Sequence, residues 1–276
     1  MIKPQTISEQ LLFSTVRIQN GQSIGTGFFF SFKVDEKTDI PVIVTNKHVV
    51  DKAKYVNFAL HEAITENNKY YPSGKFIMVN YKSKWVEHPD STIDLCVTPV
   101  QPLIHEVQKQ GKNIFYTKTS EDIIWSDSKL EKLSAVEDVL MVGYPIGLWD
   151  DVNNLPLVRK GITSTHPAID FQGKSMGAVD IACFGGSSGS PILIVNQGAY
   201  ATKQGTTIGS RAILLGILFS GPFYNSEGEI IIKNIPTVEK SVSINKTMIN
   251  LGFYIKAKEI MAIKEELLKS INIKKS

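Results

Sequence analysis

Cysteine is scarce in this chain and long hydrophobic runs are missing, and each shortage removes a class of protein. Cys96 and Cys183 are the only cysteines in 276 residues. They form neither a C-x-x-C metal pattern nor a dense disulfide framework, which predicts a reducing compartment. The N-terminus, Met1-Ile2-Lys3-Pro4-Gln5-Thr6-Ile7-Ser8, has no apolar stretch of signal-peptide length, and nothing elsewhere approaches a membrane span. A cytoplasmic protein with no membrane partner is therefore expected. A charge excess is also lacking: the net charge of +3 is mild and the lysines are scattered, so no nucleic-acid partner is expected. His61, His88, His105 and His166 have no ligand-like spacing, so satisfied or surface histidines, no metal and no cofactor are expected. There is no solenoid repeat and no low-complexity tract. The 42% hydrophobic content is ordinary globular usage and supplies a sizeable core for one large or two small domains.

The most informative stretch present is Gly185-Gly186-Ser187-Ser188-Gly189-Ser190-Pro191. It places a serine among residues too small to hinder a substrate and ends in a turn-locking proline. Ser188 is the candidate nucleophile, and a serine hydroxyl needs a base and a residue that orients the base. His48 closes the apolar, β-branched run Val44-Thr45-Asn46-Lys47-His48, and Asp94 lies inside Thr92-Ile93-Asp94-Leu95-Cys96-Val97, which predicts an acid within a strand. The chain order His, Asp, Ser discriminates between serine-hydrolase folds, because the same triad recurs in a different order on each. Residues 185–189 also fit a G-x-S-x-G elbow with Ser187 as nucleophile, but that fold needs a histidine after the serine, and none follows Ser188. A subtilisin-type order needs its acid before the histidine, and Asp35 and Asp39 sit in a polar turn.

Period and punctuation predict an all-β chain in two halves. Thr6 to Leu12 reads as a short helix capped by Thr6 or Ser8, and Ser14 to Ile18 as a strand entering the Asn20-Gly21 turn. Strands follow at Gly27 to Val34, Ile40 to Thr45, Tyr55 to Leu60, Lys75 to Asn80 and Ile93 to Val97. Residues 108–136 turn polar and helix-tolerant and read as a connector between an N-terminal unit, 1–107, and a C-terminal unit, 137–276. The second strand set runs Val139 to Gly143, Leu157 to Thr163, Ser175 to Ile181, Pro191 to Val195, Ala212 to Phe219 and Gly252 to Ala257. Ile260, Met261, Leu267, Leu268 and Ile271 then recur at helical intervals, predicting a terminal helix packed on the second unit.

In these pieces the chain resembles the trypsin-like peptidases of the chymotrypsin clan, and within them the bacterial HtrA and glutamyl-endopeptidase catalytic domains. The resemblance rests on Gly25-Thr26-Gly27-Phe28-Phe29, the His48 and Asp94 segments, Gly143-Tyr144-Pro145-Ile146-Gly147, Gly161-Ile162-Thr163-Ser164, the Ser188 turn and Gly252-Phe253-Tyr254, in family order over nearly the whole chain. It implies two six-stranded antiparallel β-barrels with a C-terminal helix, and a serine endopeptidase acting on protein or peptide substrates. The alternative on the same fold is a catalytically silent module that grips a peptide without cutting it. The implied oxyanion hole is the N–H pair of Gly186 and Ser188.

By the family pattern the primary pocket has its floor at Ala182, with Cys183, Phe219, Ser220, Gly221 and Gly252 around it. No charge is expected there, and the Leu215 to Phe219 strand lacks the histidine that a glutamyl preference would need. Cleavage after uncharged residues, and poor cleavage after acidic or basic ones, is the expectation. Asp180 reads as structural. Ser187 stands where secreted trypsins carry aspartate, so their N-terminal activation switch is not expected to operate. Leu148 to Pro156 looks like an added segment, expected as a solvated hairpin or, alternatively, an ordered regulatory loop.

Overall fold

The computed structural model describes residues 1–21, 23–82, 84–230, 241–248 and 250–271, with backbone alone for 223–230 and 241–248. The N-terminal half begins with helix α1 (Ile7–Leu11). Thr6 caps it through a reciprocal pair in which the Thr6 hydroxyl accepts from Glu9 N and the Glu9 carboxylate accepts from Thr6 N. Then come β1 (Thr15–Asn20), β2 (Ser23–Lys33), β3 (Asp39–Thr45), the one-turn helix α2 (Lys47–Val50), β4 (Val56–Glu66), β5 (Lys69–Tyr81), β6 (Val86–Glu87) and β7 (Cys96–Pro99). Helix α3 (Gln101–Gln108), β8 (Ile114–Phe115), β9 (Thr119–Ser120) and α4 (Asp127–Leu130) lead onward. Pairing runs β5-β4-β1-β2-β3-β7-β6, with β8 added to β4 and β9 to β2.

The strands placed by alternation in this half have counterparts, but the one expected over Ile93 to Val97 begins only at Cys96, and β4 and β5 extend well beyond the apolar runs that predicted them. The outer ends, Ile64 to Glu66 and Lys69 to Tyr70, are exposed, so burial imposes no hydrophobic pattern there. Six strands send side chains into one core, including Val16, Ile18, Phe29, Ile43, Phe58, Leu60, Ile77, Val79 and Cys96. The half is thus a barrel by packing, with its hydrogen-bonded seam open between β5 and β6.

The C-terminal half contains β10 (Asp138–Gly143), β11 (Leu157–Thr163), β12 (Met176–Asp180), β13 (Pro191–Asn196), β14 (Ala199–Thr202), β15 (Gly205–Ile208), β16 (Arg211–Ser220), β17 (Phe223–Ile230), β18 (Ser241–Met248), β19 (Leu251–Lys256) and helix α5 (Lys258–Ser270). Its pairing closes on itself in the order β10-β11-β12-β19-β16-β13, a six-stranded antiparallel barrel with no free edge. The pairs β14-β15 and β17-β18 are separate two-stranded sheets that alternation did not reveal. The architecture is the chymotrypsin-like double barrel with a terminal helix. Among the described residues, no helix is long and apolar enough to cross a membrane.

A single apolar cluster joins the halves. The even-numbered face of β2 (Phe28, Phe30, Phe32) and Val42 and Val44 of β3 meet Val142, Leu193, Leu214 and Ile217 of the second barrel. Strands buried on both faces read as the continuous run Phe28-Phe29-Phe30. Helix α5 corrects one expectation. Its stripe Ile260, Ile263 and Leu267 enters this shared cluster beside Leu95 and Val97 of the N-terminal half, rather than packing on the second barrel alone. Periodicity identified the buried face but carries no information about its partner.

Candidate active site

His48 sits in α2, directly after β3, instead of closing the strand itself. Asn46 occupies the cap position in extended backbone, φ −83° and ψ 148°, yet its side chain does not cap the helix. It donates instead to the carbonyl of Asp94 at 2.8 Å. Asp94 supplies the missing cap: its Oδ1 accepts from His48 N at 3.1 Å while its Oδ2 lies 2.5 Å from His48 Nδ1. One carboxylate therefore fixes both the helix start and the imidazole, a charge-assisted contact in a partly shielded setting. Asp94 is not within a strand as expected, but in the loop before β7. Asp90 explains this, since its carboxylate accepts from Thr92 N and Thr92 Oγ1 and turns the chain just ahead of Asp94.

The turn carrying Ser188 is stitched to both halves. Gly189 N donates to Leu218 O and Leu218 N to Ser190 O, fastening the turn to β16. On the other side Thr26 of β2 donates its N–H to Ser188 O at 2.9 Å and its hydroxyl to Gly186 O at 3.0 Å. The Thr26 carbonyl in turn accepts from Thr45 Oγ1 at 2.7 Å, and Thr45 precedes His48 by three residues. Ser188 and His48 are thus held in one frame through Thr26 and Thr45. Gly189 is required there: φ is +86°, and a Cβ would fall 1.8 Å from Thr26 O.

Ser188 is partly exposed, whereas Ser187 is fully buried and its hydroxyl accepts from Arg159 Nη1 at 3.0 Å. The Gly185 carbonyl accepts from Ile146 N at 2.5 Å. Because a trans peptide directs its C=O and N–H oppositely, that bond points the Gly186 N–H away from residues 145–147. Gly186 has φ +85°, with a Cβ position 2.5 Å from Tyr144 O. Ile146 holds its end of the contact at φ 48°, an uncommon conformation for a β-branched residue. Among the described residues the N–H groups of Gly186 and Ser188 have no acceptor.

The predicted pocket residues separate into two groups. Cys183 and Gly252 adjoin, since a Cβ on Gly252 would lie 2.5 Å from Cys183 Sγ, and burial pushes the Cys183 thiol up to about 11. Ala182 is beside them. Phe219 falls at a register shift between β16 and β19 and lines a different space, a cavity of 630 Å³ shared with Asp94, Ile93, Met176 and Glu259. Ser220 is exposed and Gly221 partly buried at the end of β16. Asp180 is exposed at the end of β12.

A buried charge lies beside Ala182 that the sequence did not reveal. Arg159 of β11 pairs across the ladder with fully buried Met141, which puts both side chains on the inner face of the barrel. Its Nη1 donates to Ala182 O at 2.5 Å as well as to Ser187 Oγ. Burial pulls its guanidinium down to about 10.

Two further expectations meet their outcome. Leu148 to Pro156 is a hairpin closed by the Asp150–Leu155 bridge and docked across the halves. Asn154 Nδ2 donates to Ala59 O at 3.3 Å, and Trp149 packs at 5.3 Å from Phe76 and 5.2 Å from the Arg17 guanidinium. His61 is buried with both ring nitrogens unpartnered, not satisfied; burial lowers it to about 4. Among the described residues no cluster of three or more His, Cys, Asp or Glu could hold a metal ion.

Several solved structures are similar in shape at low identity. The Rv3671c protein of M. tuberculosis in an inactive form aligns over 98% of both chains at 14% identity and a TM-score of 0.46. The serine protease of human pathogenic astrovirus aligns over 88% of this chain and 89% of that one at 14% identity and a TM-score of 0.42. The HtrA-type protease AlgW, solved with a decapeptide, aligns over 96% of this chain and 66% of that one at 13% identity and a TM-score of 0.45. No curated protein matches the sequence. The family profile described as trypsin-like peptidase domain matches residues 25–199, more than half of the chain, and by that match the chain belongs to the trypsin-like peptidases.

Proposed function

We propose that the chain is a serine endopeptidase in which Ser188 is the nucleophile, His48 the general base and Asp94 the residue that orients it. The observation that carries the reading is the double contact of Asp94 with His48, at 2.5 Å to Nδ1 and 3.1 Å to N. With Nδ1–H donating to Asp94, the imidazole keeps Nε2 as its acceptor. Nε2 takes the Ser188 proton as Oγ attacks a peptide carbonyl, and returns it to the leaving amine. The bond to the amine breaks as the acyl-enzyme forms, and water then repeats the cycle on the acyl group. The negative oxygen of each tetrahedral intermediate is met by the N–H groups of Gly186 and Ser188. The Gly185–Ile146 and Gly186–Thr26 bonds hold those donors in place before substrate arrives, which is where such a site gains its advantage. Fully buried Ser187, engaged by Arg159, supports Ser188 as the reactive hydroxyl.

We place the protein in the cytoplasm, which suits the buried and unpaired state of Cys96 and Cys183. Its substrates are proteins or peptides. Incubation with a proteome-derived peptide library tests the reading. Cleavage is expected from the wild type and not from Ser188→Ala or His48→Ala, which remove parts of one unit and so lose activity alike. A wild-type protein that binds peptides and cuts none would be the silent module.

A further inference from the structure

His88 directly follows β6, and its ring does in a turn what an asparagine side chain commonly does. Asp90 N donates to His88 Nδ1 at 3.0 Å, a bond from the N–H of residue i+2 to a side-chain acceptor at residue i. The chain closes over this turn through His88 N, which donates to Leu95 O at 2.9 Å, and Ile93 N, which donates to Asp90 O at 3.2 Å. Asp94 lies inside that closed loop. Asp90, Thr92, Ile93 and Asp94 all border the 630 Å³ cavity, so on that side polar bonds take the place of packing. Lys47 of α2 adds two longer contacts, 3.4 Å to Asp90 O and to Ser91 O.

Nδ1 accepts from Asp90 N while the ring hydrogen sits on Nε2. Nε2 stands 3.2 Å from Oε2 of Glu259, in the first turn of α5. The pair lacks the alignment of a hydrogen bond, so its attraction is electrostatic. With the two side chains only 4% and 17% exposed, that attraction is weakly screened. The carboxylate favours the hydrogen on Nε2 and keeps Nδ1 open to Asp90 N. The competing contact, Nδ1 to Asp90 O at 3.2 Å, needs a hydrogen on Nδ1 and is the longer of the two.

We propose that His88 and Glu259 are positioning residues for Asp94. Glu259 sets the tautomer of His88, His88 shapes the loop, and the loop holds Asp94 against His48. The inference rests on the reading of Asp94 as the residue that orients the catalytic base. An acid fixing a histidine tautomer then occurs twice in series, and helix α5 of the second half helps to place a residue of the first.

The test follows steady-state cleavage of a peptide that the wild type cuts. His88→Leu removes the acceptor, and kcat should fall about 10- to 100-fold with KM nearly unchanged. His88→Asn restores an acceptor for Asp90 N and should recover to within about threefold of wild type. In the Asp94→Asn background, followed by fluorophosphonate labelling of Ser188, His88→Leu should cost nothing further, because it acts through Asp94. A merely stabilising histidine would add its own loss there. A second arm needs no turnover: in Ser188→Ala protein the far-downfield proton signal of His48 Nδ1–H reports its contact with Asp94. That signal should shift or vanish in Glu259→Ala and return in Glu259→Gln, whose amide oxygen still accepts from Nε2–H. This pair carries the test if His88→Leu fails to fold. An unchanged signal and unchanged kcat in Glu259→Ala, or a further loss from His88→Leu in the Asp94→Asn background, overturns the positioning and leaves the peptidase reading standing. A protein that cuts no peptide, yet whose His48 signal moves with Glu259, overturns the peptidase reading and supports the positioning.

Discussion

Thr26→Val removes one hydroxyl and almost no volume from the most connected residue of the site. In the wild type that hydroxyl donates to Gly186 O at 3.0 Å and accepts from Tyr144 N at 3.1 Å, at a position with no solvent access. Valine matches threonine in shape, so the change leaves one buried carbonyl and one buried N–H without partners. Each such group costs about 1–3 kcal/mol, and the pair about 2–6 kcal/mol, a large share of the roughly 5–15 kcal/mol that stabilises a typical domain. Thr26→Ser keeps the hydroxyl and deletes a methyl, for about 1 kcal/mol. Urea unfolding should therefore give a lower midpoint for valine than for serine at unchanged slope. The Gly186–Ser187 peptide is released at the same time, so reaction of Ser188 with a fluorophosphonate should slow by up to about 100-fold under conditions where the variant is folded. A Thr26→Val protein within about 0.5 kcal/mol of wild type, labelled at the wild-type rate, would refute the claim that Thr26 holds the turn.

Asp94→Asn should stay folded, because the Asn46 bond goes to the backbone carbonyl of residue 94, and should lose about 10⁴-fold in turnover through the wrong imidazole tautomer; wild-type turnover would remove Asp94 from the mechanism. Gly189→Ala, at φ +86° with its Cβ 1.8 Å from Thr26 O, should cost more than about 4 kcal/mol. Gly185→Ala, whose Cβ meets nothing within 4 Å, should be nearly neutral; thermal melts of the two proteins check the contrast. His61, lowered from 6.5 to about 4 by burial, stays neutral in the fold while the unfolded chain takes up a proton. Stability should therefore rise with pH between about 4 and 6.5, by at most about 3 kcal/mol. A His61→Phe protein with the same slope across that window would sink this assignment.

The residues proposed to carry the chemistry stand out in the sequence because their neighbours are constrained in kind. A serine among glycines, a histidine closing a β-branched run and an acid inside an apolar one leave few other readings. Their exact settings were less visible. His48 sits in a helical turn and Asp94 in a loop because Asn46 and Asp90 make side-chain bonds to backbone, and such local bonds override strand propensity. Helix α3 carries a proline at its first turn and was hidden in a run of mixed polarity. Arg159 was the least legible. In Leu157-Val158-Arg159-Lys160-Gly161-Ile162, apolar Val158 and Ile162 suggest the inward face, yet both are exposed and Arg159 points in. Alternation assigns the buried face to apolar residues, and it fails where a strand spends an inner position on a charge.

The central claim is that Ser188 carries the reaction in the frame set by His48 and Asp94. Intact-mass and peptide-level analysis after a fluorophosphonate probe tests it most directly. One adduct per chain, located on Ser188, absent in Ser188→Ala and strongly slowed in His48→Ala, is the predicted result. An unreactive wild type, or an adduct that persists in Ser188→Ala and maps to Ser187, would contradict it.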